Sequence, residues 1–372
     1  DRSDTRPITN CCLARAASYN QRLQIDMKQG VLLVNLGTPD TPHPKDVKRY
    51  LLEFLTDGRV IDSSWLFRQF LVRGIIVPRR YKESAKQYQG IWKERGSPLK
   101  FHTEDLAKNL QDIVGEDVQV EIAMRYQNPS ISKGLEKLRD CASITILPLF
   151  PQYASATTGS IYEKVMNTVK KWTMFPKMIF IDTFANHPAF IKAMAKNFDP
   201  FELSDYDHVL FSYHGLPQRQ IAKGDRHGAC LKKECCQSWC KNNYGCYSAQ
   251  CFATTKALVK QLNIKNYTMT FQSRLGKAEW IKPYTSDVIE ELAKKGAKKI
   301  LVATPAFVAD CLETIFEIGE EYAELFQSFG GKTLDRVPCL NGSPEWAAEI
   351  LSQHSLPHFS QALATPDGCK SS

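Results

Sequence analysis

At about 150 residues per domain, a chain of 372 residues has room for two or three domains and a sizeable core. With 43% apolar and 24% charged residues it has the composition of an ordinary globular protein, which excludes a collagen, a disordered tail and a disulfide-stapled miniprotein. Its 48 Lys and Arg against 40 Asp and Glu leave a net charge of +8 without a dense basic stripe, which argues against nucleic acid and suits an anionic small molecule or membrane surface.

Residues 1–26 carry Arg and Asp throughout and no apolar core of a secretory signal, so they are expected to be a non-native or disordered extension ahead of Met27. From there, short β-branched runs alternate with amphipathic stretches. Strands are expected at Val31–Leu36, Val118–Ala123, Ile144–Leu149, Met178–Ile181, His208–Ser212, Tyr267–Phe271, Ile300–Ala303 and Arg336–Leu340. Helices are expected at Pro44–Leu55, Thr103–Ile113, Ser132–Cys141, Thr158–Trp172, Ala253–Leu262, Ser286–Lys295 and Leu312–Phe326. Near-continuous apolar strands imply burial on both faces, hence an α/β fold of parallel sheets flanked by helices. Two similar Rossmann-like halves, 27–170 and 171–343, suit the length better than a closed (β/α)₈ barrel, the alternative that eight strands would also fill. A helix within 344–363 packs back on the body, and 364–372 is a frayed tail. Trp65–Val77, apolar on nearly all sides, reads either as a buried helix or as an exposed lip spanning 63–80.

In open α/β sheets, ligands sit outside the carboxyl ends of the strands, so the polar residues there are the candidates for chemistry. Asn35-Leu36-Gly37-Thr38-Pro39 offers a tight turn without a G-x-G-x-x-G, which disfavours a nucleotide. Arg125-Tyr126 supplies a cation and an aromatic. The loop Phe150–Ser160 carries more hydroxyls than capping a helix requires. His214, at a strand end and followed by Gly215 and Pro217, projects toward the crevice. Glu313 and Glu317 lie four apart, on one helical face, among Leu312, Ile315 and Phe316. One imidazole with two carboxylates suits a borderline divalent ion such as Fe²⁺ or Zn²⁺, or a proton relay.

Twelve cysteines are present, and Cys230, Cys235, Cys236, Cys240, Cys246 and Cys251 crowd one segment. The insert 226–250 is polar, so these are poor candidates for small buried hydrophobes. Metal ligation by four thiolates is the better account, with zinc and iron–sulfur both compatible with the spacing.

Five motifs in register, N-L-G-T-P, F-P-Q-Y-x-x-x-T-T-G-S, F-S-Y-H-G-L-P, the run Phe271–Trp280 and D-C-L-E-T-I-F-E-I, resemble the ferrochelatases, over roughly residues 29–345. The resemblance implies two chelatase-type halves around a porphyrin cleft. It also implies insertion of Fe²⁺ into protoporphyrin IX with loss of two protons, the last step of haem biosynthesis. His214 and Glu313 match the family's metal-site pair and Glu317 its second acidic residue. In some members a histidine stands where this chain has Cys311. Arg125 and Tyr126 match the opposite wall of the porphyrin; Leu36, Trp280 and Phe307 match apolar contacts, and Ser97 a propionate contact. The segment Trp65–Val77 falls at the family's active-site lip. Some bacterial-type members carry a [2Fe–2S] cluster within such an insert. Here that implies Cys230, Cys235, Cys236 and Cys246 as ligands, with Cys240 as substitute and Zn²⁺ as the alternative occupant. Cys251 and Cys311 lie in segments shared with cluster-free members.

Apolar walls that bind a bent macrocycle favour the transition state, in which a pyrrole nitrogen tilts toward the metal. Neutral His214 is expected to accept a pyrrole proton. Readings of another kind are a porphyrin or haem carrier, which leaves Glu313 and Glu317 without a task, and an iron–sulfur redox protein, which makes His214 incidental. A cobalt or coproporphyrin chelatase is the nearest enzymatic alternative. The expected location is cytoplasmic, with peripheral contact on the inner face of the membrane.

Overall fold

The computed structural model describes residues 28–352 except 233, 234, 275 and 277; the expected extension 1–26 and residues 353–372 lie outside that range. Strands β1 (Gln29–Gly37), β2 (Val118–Tyr126), β3 (Ser143–Pro148) and β4 (Lys177–Phe180) form one parallel sheet in the order β2-β1-β3-β4. Strands β5 (His208–His214), β6 (Tyr267–Gln272), β7 (Lys299–Ala303) and β8 (Thr333–Arg336) form a second in the order β6-β5-β7-β8. Two open sheets with the same strand order replace the closed-barrel alternative. Two boundaries differ from expectation. Strand β4 pairs with β3, so it completes the first sheet rather than opening the second half at 171. The last strand is Thr333–Arg336, and the apolar Val337–Leu340 that follows is irregular chain with Val337, Cys339 and Leu340 buried.

Both faces of β1 are covered. Val31 and Leu33 join one apolar cluster, while Leu32 and Val34 join another, the arrangement that makes a parallel strand read as an unbroken apolar run. The larger cluster also takes Val209, Phe211 and Tyr213 from β5, so the inner faces of the two sheets share one core. Phe184, Phe190 and Trp346 pack at its centre in tilted and edge-on contacts. Helix Pro344–Ser352 brings Trp346 there and lies against both Pro98–Val114 and Pro188–Lys196.

The parallel alignment delivers the ends of β1, β2, β5 and β6 to one edge of their sheets. Gly37 closes β1 at φ +112°, where a Cβ would stand 2.0 Å from the carbonyl oxygen of Tyr126, its register partner on β2. Only glycine fits that approach. Beyond the first sheet, Trp65–Phe70 continues through a π-helical segment, Leu71–Ile76, into helix Val77–Ile91. Here the exposed-lip reading holds: Trp65, Leu66, Phe67 and Phe70 are 63%, 74%, 56% and 66% exposed. Arg68 turns inward and donates to the carbonyls of Thr56, Ile61 and Ser63, which leaves Trp65, Leu66, Phe67 and Phe70 to the outer face, with exposed Arg73 bonded to Gln69 beyond them. Among the described residues, no helix is long and apolar enough to cross a membrane.

Candidate active site

His214 is the last residue of β5 and pairs in register with Gln272 of β6. Its Nδ1 lies 2.7 Å from the carbonyl oxygen of Gly215. A carbonyl only accepts, so Nδ1 carries a proton, and in the neutral ring Nε2 is then the nitrogen with the lone pair. The ring sits 6.4 Å, centre to centre, from both Trp280 and Phe307. Gly215 makes room for this: a Cβ there would meet the Gln272 carbonyl at 2.9 Å and the Trp280 ring at 3.1 Å.

Glu313 and Glu317 belong to a π-helical segment, Glu313–Glu321, that runs into α-helix Tyr322–Ser328 where one continuous α-helix was expected. Such segments are rare and concentrate at functional sites. This one is pinned at its start by Asp310, which accepts from Thr314 at 2.8 Å, Asn341 at 2.9 Å and Arg336 at 2.5 Å. Glu317 is enclosed by donors: the Ser273 amide at 2.8 Å, its hydroxyl at 2.5 Å, Tyr322 at 3.0 Å and Gln272 at 3.2 Å. Glu313 lines a narrow cleft together with Leu36, Tyr50, Tyr88, Ser97 and Cys311. Burial pushes the Tyr50 and Tyr88 phenols and the Cys311 thiol well above their ordinary ranges, and the Glu313 charge adds to each shift.

Gln272 keys the two acidic residues to the histidine strand. Its Nε2 donates to the Glu313 carbonyl oxygen and to the Glu317 carboxylate, both at 3.2 Å, while its Oε1 accepts from Ser212 at 2.7 Å. Neither Gln272 nor the Tyr50–Tyr88 pair was singled out in the sequence. Gln272 stood within a matching motif, but buried aromatics at helical spacing give no signal beyond core packing. Of the expected contacts, Leu36 and Ser97 share the cleft with Glu313, and Trp280 and Phe307 flank His214. Ser97 accepts from Thr38 at 2.8 Å.

Arg125 and Tyr126 sit in a different setting. Arg125 pairs with Asp57 at 2.6 Å, both side chains largely buried, and donates to the Ser160 hydroxyl at 2.6 Å. The Tyr126 hydroxyl donates to the same carboxylate at 2.9 Å and its ring is fully enclosed, 5.2 Å from Phe54. Burial alone would raise the Asp57 pKa; hydrogen bonds from Ser160, the Arg59 amide and Tyr126, with the Arg125 charge, outweigh it and hold the carboxyl below its ordinary range. A depressed folded-state pKa adds stability above the unfolded value of about 3.9, which is lost as pH falls through the folded one. Asp57→Asn should therefore cost about 3–5 kcal/mol at pH 7, with Arg125 left unpaired. The gap from the unsubstituted protein in thermal unfolding should shrink as pH drops below about 4; a gap constant from pH 7 to pH 3 would contradict this.

In the insert, Cys230, Cys235, Cys236 and Cys246 are free thiols, whereas Cys240 is buried and is not among them. The Cys235 and Cys236 sulfurs lie 3.4 Å apart. A hydrogen bond to Cys246, with burial, raises the Cys236 thiol and correspondingly lowers that of Cys246. Burial and the neighbouring Cys235 and Cys236 push Cys230 up to about 11. Four mutually interacting thiols suit a thiophilic metal, whose positive charge would favour their thiolate forms. Among the described residues, which include these four cysteines, no three or more His, Cys, Asp or Glu side chains as they stand are placed to hold a metal ion.

Residues 28–355 match the family model described as Ferrochelatase. A ferrochelatase of Legionella pneumophila (strain Lens) is 46% identical over 88% of this chain and 98% of its own length. One of Coxiella burnetii is 44% identical over 89% of this chain and 95% of its own. Among solved structures, SirB from Bacillus subtilis with Fe3+ matches at a TM-score of 0.47 and 14% identity, covering 91% of this chain and 96% of that one. With the family model and the two ferrochelatases in agreement, the chain belongs to the ferrochelatase family, lyases of haem biosynthesis.

Proposed function

We propose that this chain inserts Fe²⁺ into protoporphyrin IX, with His214 Nε2 as the acceptor of the pyrrole protons. The supporting observation is the bond from His214 Nδ1 to the Gly215 carbonyl, which leaves Nε2 as the basic nitrogen. Each pyrrole N–H gives its proton to Nε2 in turn, the nitrogen lone pair closes on the metal, and the imidazolium passes the proton on before accepting the next. The balance is one Fe²⁺ and one porphyrin consumed, one haem and two protons released. Glu313, at the cleft, sheds water from the entering ion. Glu317, already held by four donor groups, serves as the fixed negative charge behind the proton route. Leu36, Trp280 and Phe307 clamp the ring, and Ser97 meets a propionate. Arg125 and Tyr126 brace that wall through Asp57 and Ser160.

His214→Ala should lower kcat by about 10²–10⁴-fold while the porphyrin dissociation constant stays within about twofold. The measurement is anaerobic incubation with Fe²⁺ and protoporphyrin IX, and retained turnover defeats the assignment. The same assay with coproporphyrin in place of protoporphyrin identifies the tetrapyrrole by the higher kcat/KM.

We also propose that Cys230, Cys235, Cys236 and Cys246 hold a [2Fe–2S] cluster rather than Zn²⁺. When bound, such a cluster supplies one-electron chemistry. Metal insertion transfers no electron, so the insert's part in this reaction is structural. Anaerobically purified protein should be coloured and contain iron and acid-labile sulfide in equal amounts; a colourless preparation with stoichiometric zinc overturns the cluster.

The exposed lip, beside a chain of net charge +8, supports peripheral contact with an anionic membrane on its cytoplasmic face. Burying Leu66 and Phe70 in the interface is worth about 3 kcal/mol or more, so Leu66→Ser/Phe70→Ser should weaken binding to anionic vesicles about a hundredfold or more. Flotation of the unsubstituted protein with no vesicle association would remove this reading.

A further inference from the structure

Helix Tyr247–Leu262 begins where the cysteine insert ends: Cys246 is its N-cap residue and Tyr247 its first helical one. Tyr247 is buried in the shared core against Tyr213 and Cys251. Its hydroxyl reaches out of that core to donate, at 2.8 Å, to the backbone carbonyl of His214. That carbonyl needs a partner. The ladder between β5 and β7 stops at Phe211↔Ala303, and on the other side the strand is held to β6 by the Gly215 amide on the Gln272 carbonyl, at 2.9 Å. The phenol stands in for the missing strand neighbour at the one residue whose ring orientation the chemistry uses.

The start of the helix has little freedom to slide. One turn on, buried Gln250 accepts from the Tyr153 amide at 2.8 Å and the Thr183 hydroxyl at 2.6 Å, and donates to the Tyr244 carbonyl at 3.1 Å. Thr254 continues the clamp by donating to the Ala185 carbonyl at 2.5 Å. On the insert side, the Cys246 amide is bonded to the Asn243 carbonyl, and Asn243 in turn donates to the Cys235 and Ser238 carbonyls. With the helix anchored on Gln250, a shift of Cys246 cannot be absorbed by axial movement and passes to its neighbour Tyr247.

We propose that Tyr247 is a positioning residue through which the cysteine insert sets the placement of His214. Drawing the thiols around a metal fixes Cys246, hence Tyr247, hence the backbone that carries the imidazole. This gives the insert an influence on an insertion reaction in which no electron moves, and it rests on the proposal that the insert holds a metal.

The test compares the holoprotein with Tyr247→Phe, Cys236→Ser and the double variant, with iron and zinc content measured in each. Tyr247→Phe loses one hydrogen bond and should lower kcat about five- to tenfold, with the porphyrin KM within twofold and circular dichroism unchanged. In porphyrin-free protein, His214 should be carbethoxylated by diethyl pyrocarbonate several-fold faster, as read by mass spectrometry of its peptide. Cys236→Ser should move both readouts the same way, and the double variant should be no worse than Tyr247→Phe alone. If Cys236→Ser does not fold, anaerobic chelation of the unsubstituted protein and of Tyr247→Phe replaces that arm. Unchanged kcat and labelling in Tyr247→Phe overturn the link to His214. A double-variant loss equal to the product of the single losses overturns the coupling to the insert. If the purified holoprotein contains neither iron nor zinc, the metal reading falls and the coupling with it, while the Tyr247→Phe arm still decides whether the phenol positions His214.

Discussion

Parallel strand pairing is the constraint on which this site depends. Because every strand in each sheet runs the same way, the side chains at the ends of β1, β2, β5 and β6 arrive at one edge with no further folding cost. Gly37 then lets β1 end within contact of β2, and Gly215 lets β5 end against the Trp280 ring. Both glycines are places where backbone or ring occupies the volume of a side chain. The functional residues therefore stand on the rigid part of the fold, and only the apolar lip and the cysteine insert depart from it.

At that edge the Glu317 carboxylate is held by neutral hydrogen-bond donors. Gln272 spans from β6 to the π-helical segment, and Ser273 and Tyr322 complete the enclosure of Glu317. Among the described residues, the buried ion pairs Arg125–Asp57 and Arg336–Asp310 belong to the supporting wall and to the base of the π-helical segment. Amide and hydroxyl groups fix a carboxylate without neutralising it as a cationic partner would.

Much of this was legible beforehand, and the parts that were not have identifiable causes. Central strands such as β1 and β5 announce themselves because both faces are buried, and His214 follows as the polar residue where the apolar run stops. Edge strand β8, Thr-Leu-Asp-Arg, is paired on one side only and carries no apolar run, so the run just after it, Val337–Leu340, was mistaken for the strand. Helix Val77–Ile91 was missed because Arg79, Arg80, Lys82, Glu83 and Lys86 dominate its composition, while two of its buried positions, Ser84 and Ala85, carry little apolar signal. The π-helical turns escape periodicity because, although their i→i+5 bonding gives a wider repeat than 3.6 residues, one or two turns offer too few recurring positions to set the repeat. Arg125 looked available as a porphyrin contact because its partner Asp57 lies in a turn 68 residues earlier, a separation that no local pattern reports. The meeting of Tyr50 and Tyr88 beside Glu313 is hidden for the same reason.

The continuous core between the sheets also restricts how the protein can move. Phe184, Phe190 and Trp346 would be wetted by any swing of one half away from the other, and helix Pro344–Ser352 is laid across both like a strap. A clamshell hinge is thus closed to this molecule. What movement it allows is local, at the rim, where Trp65, Leu66, Phe67 and Phe70 stand exposed over the inward hydrogen bonds of Arg68, while the floor stays put.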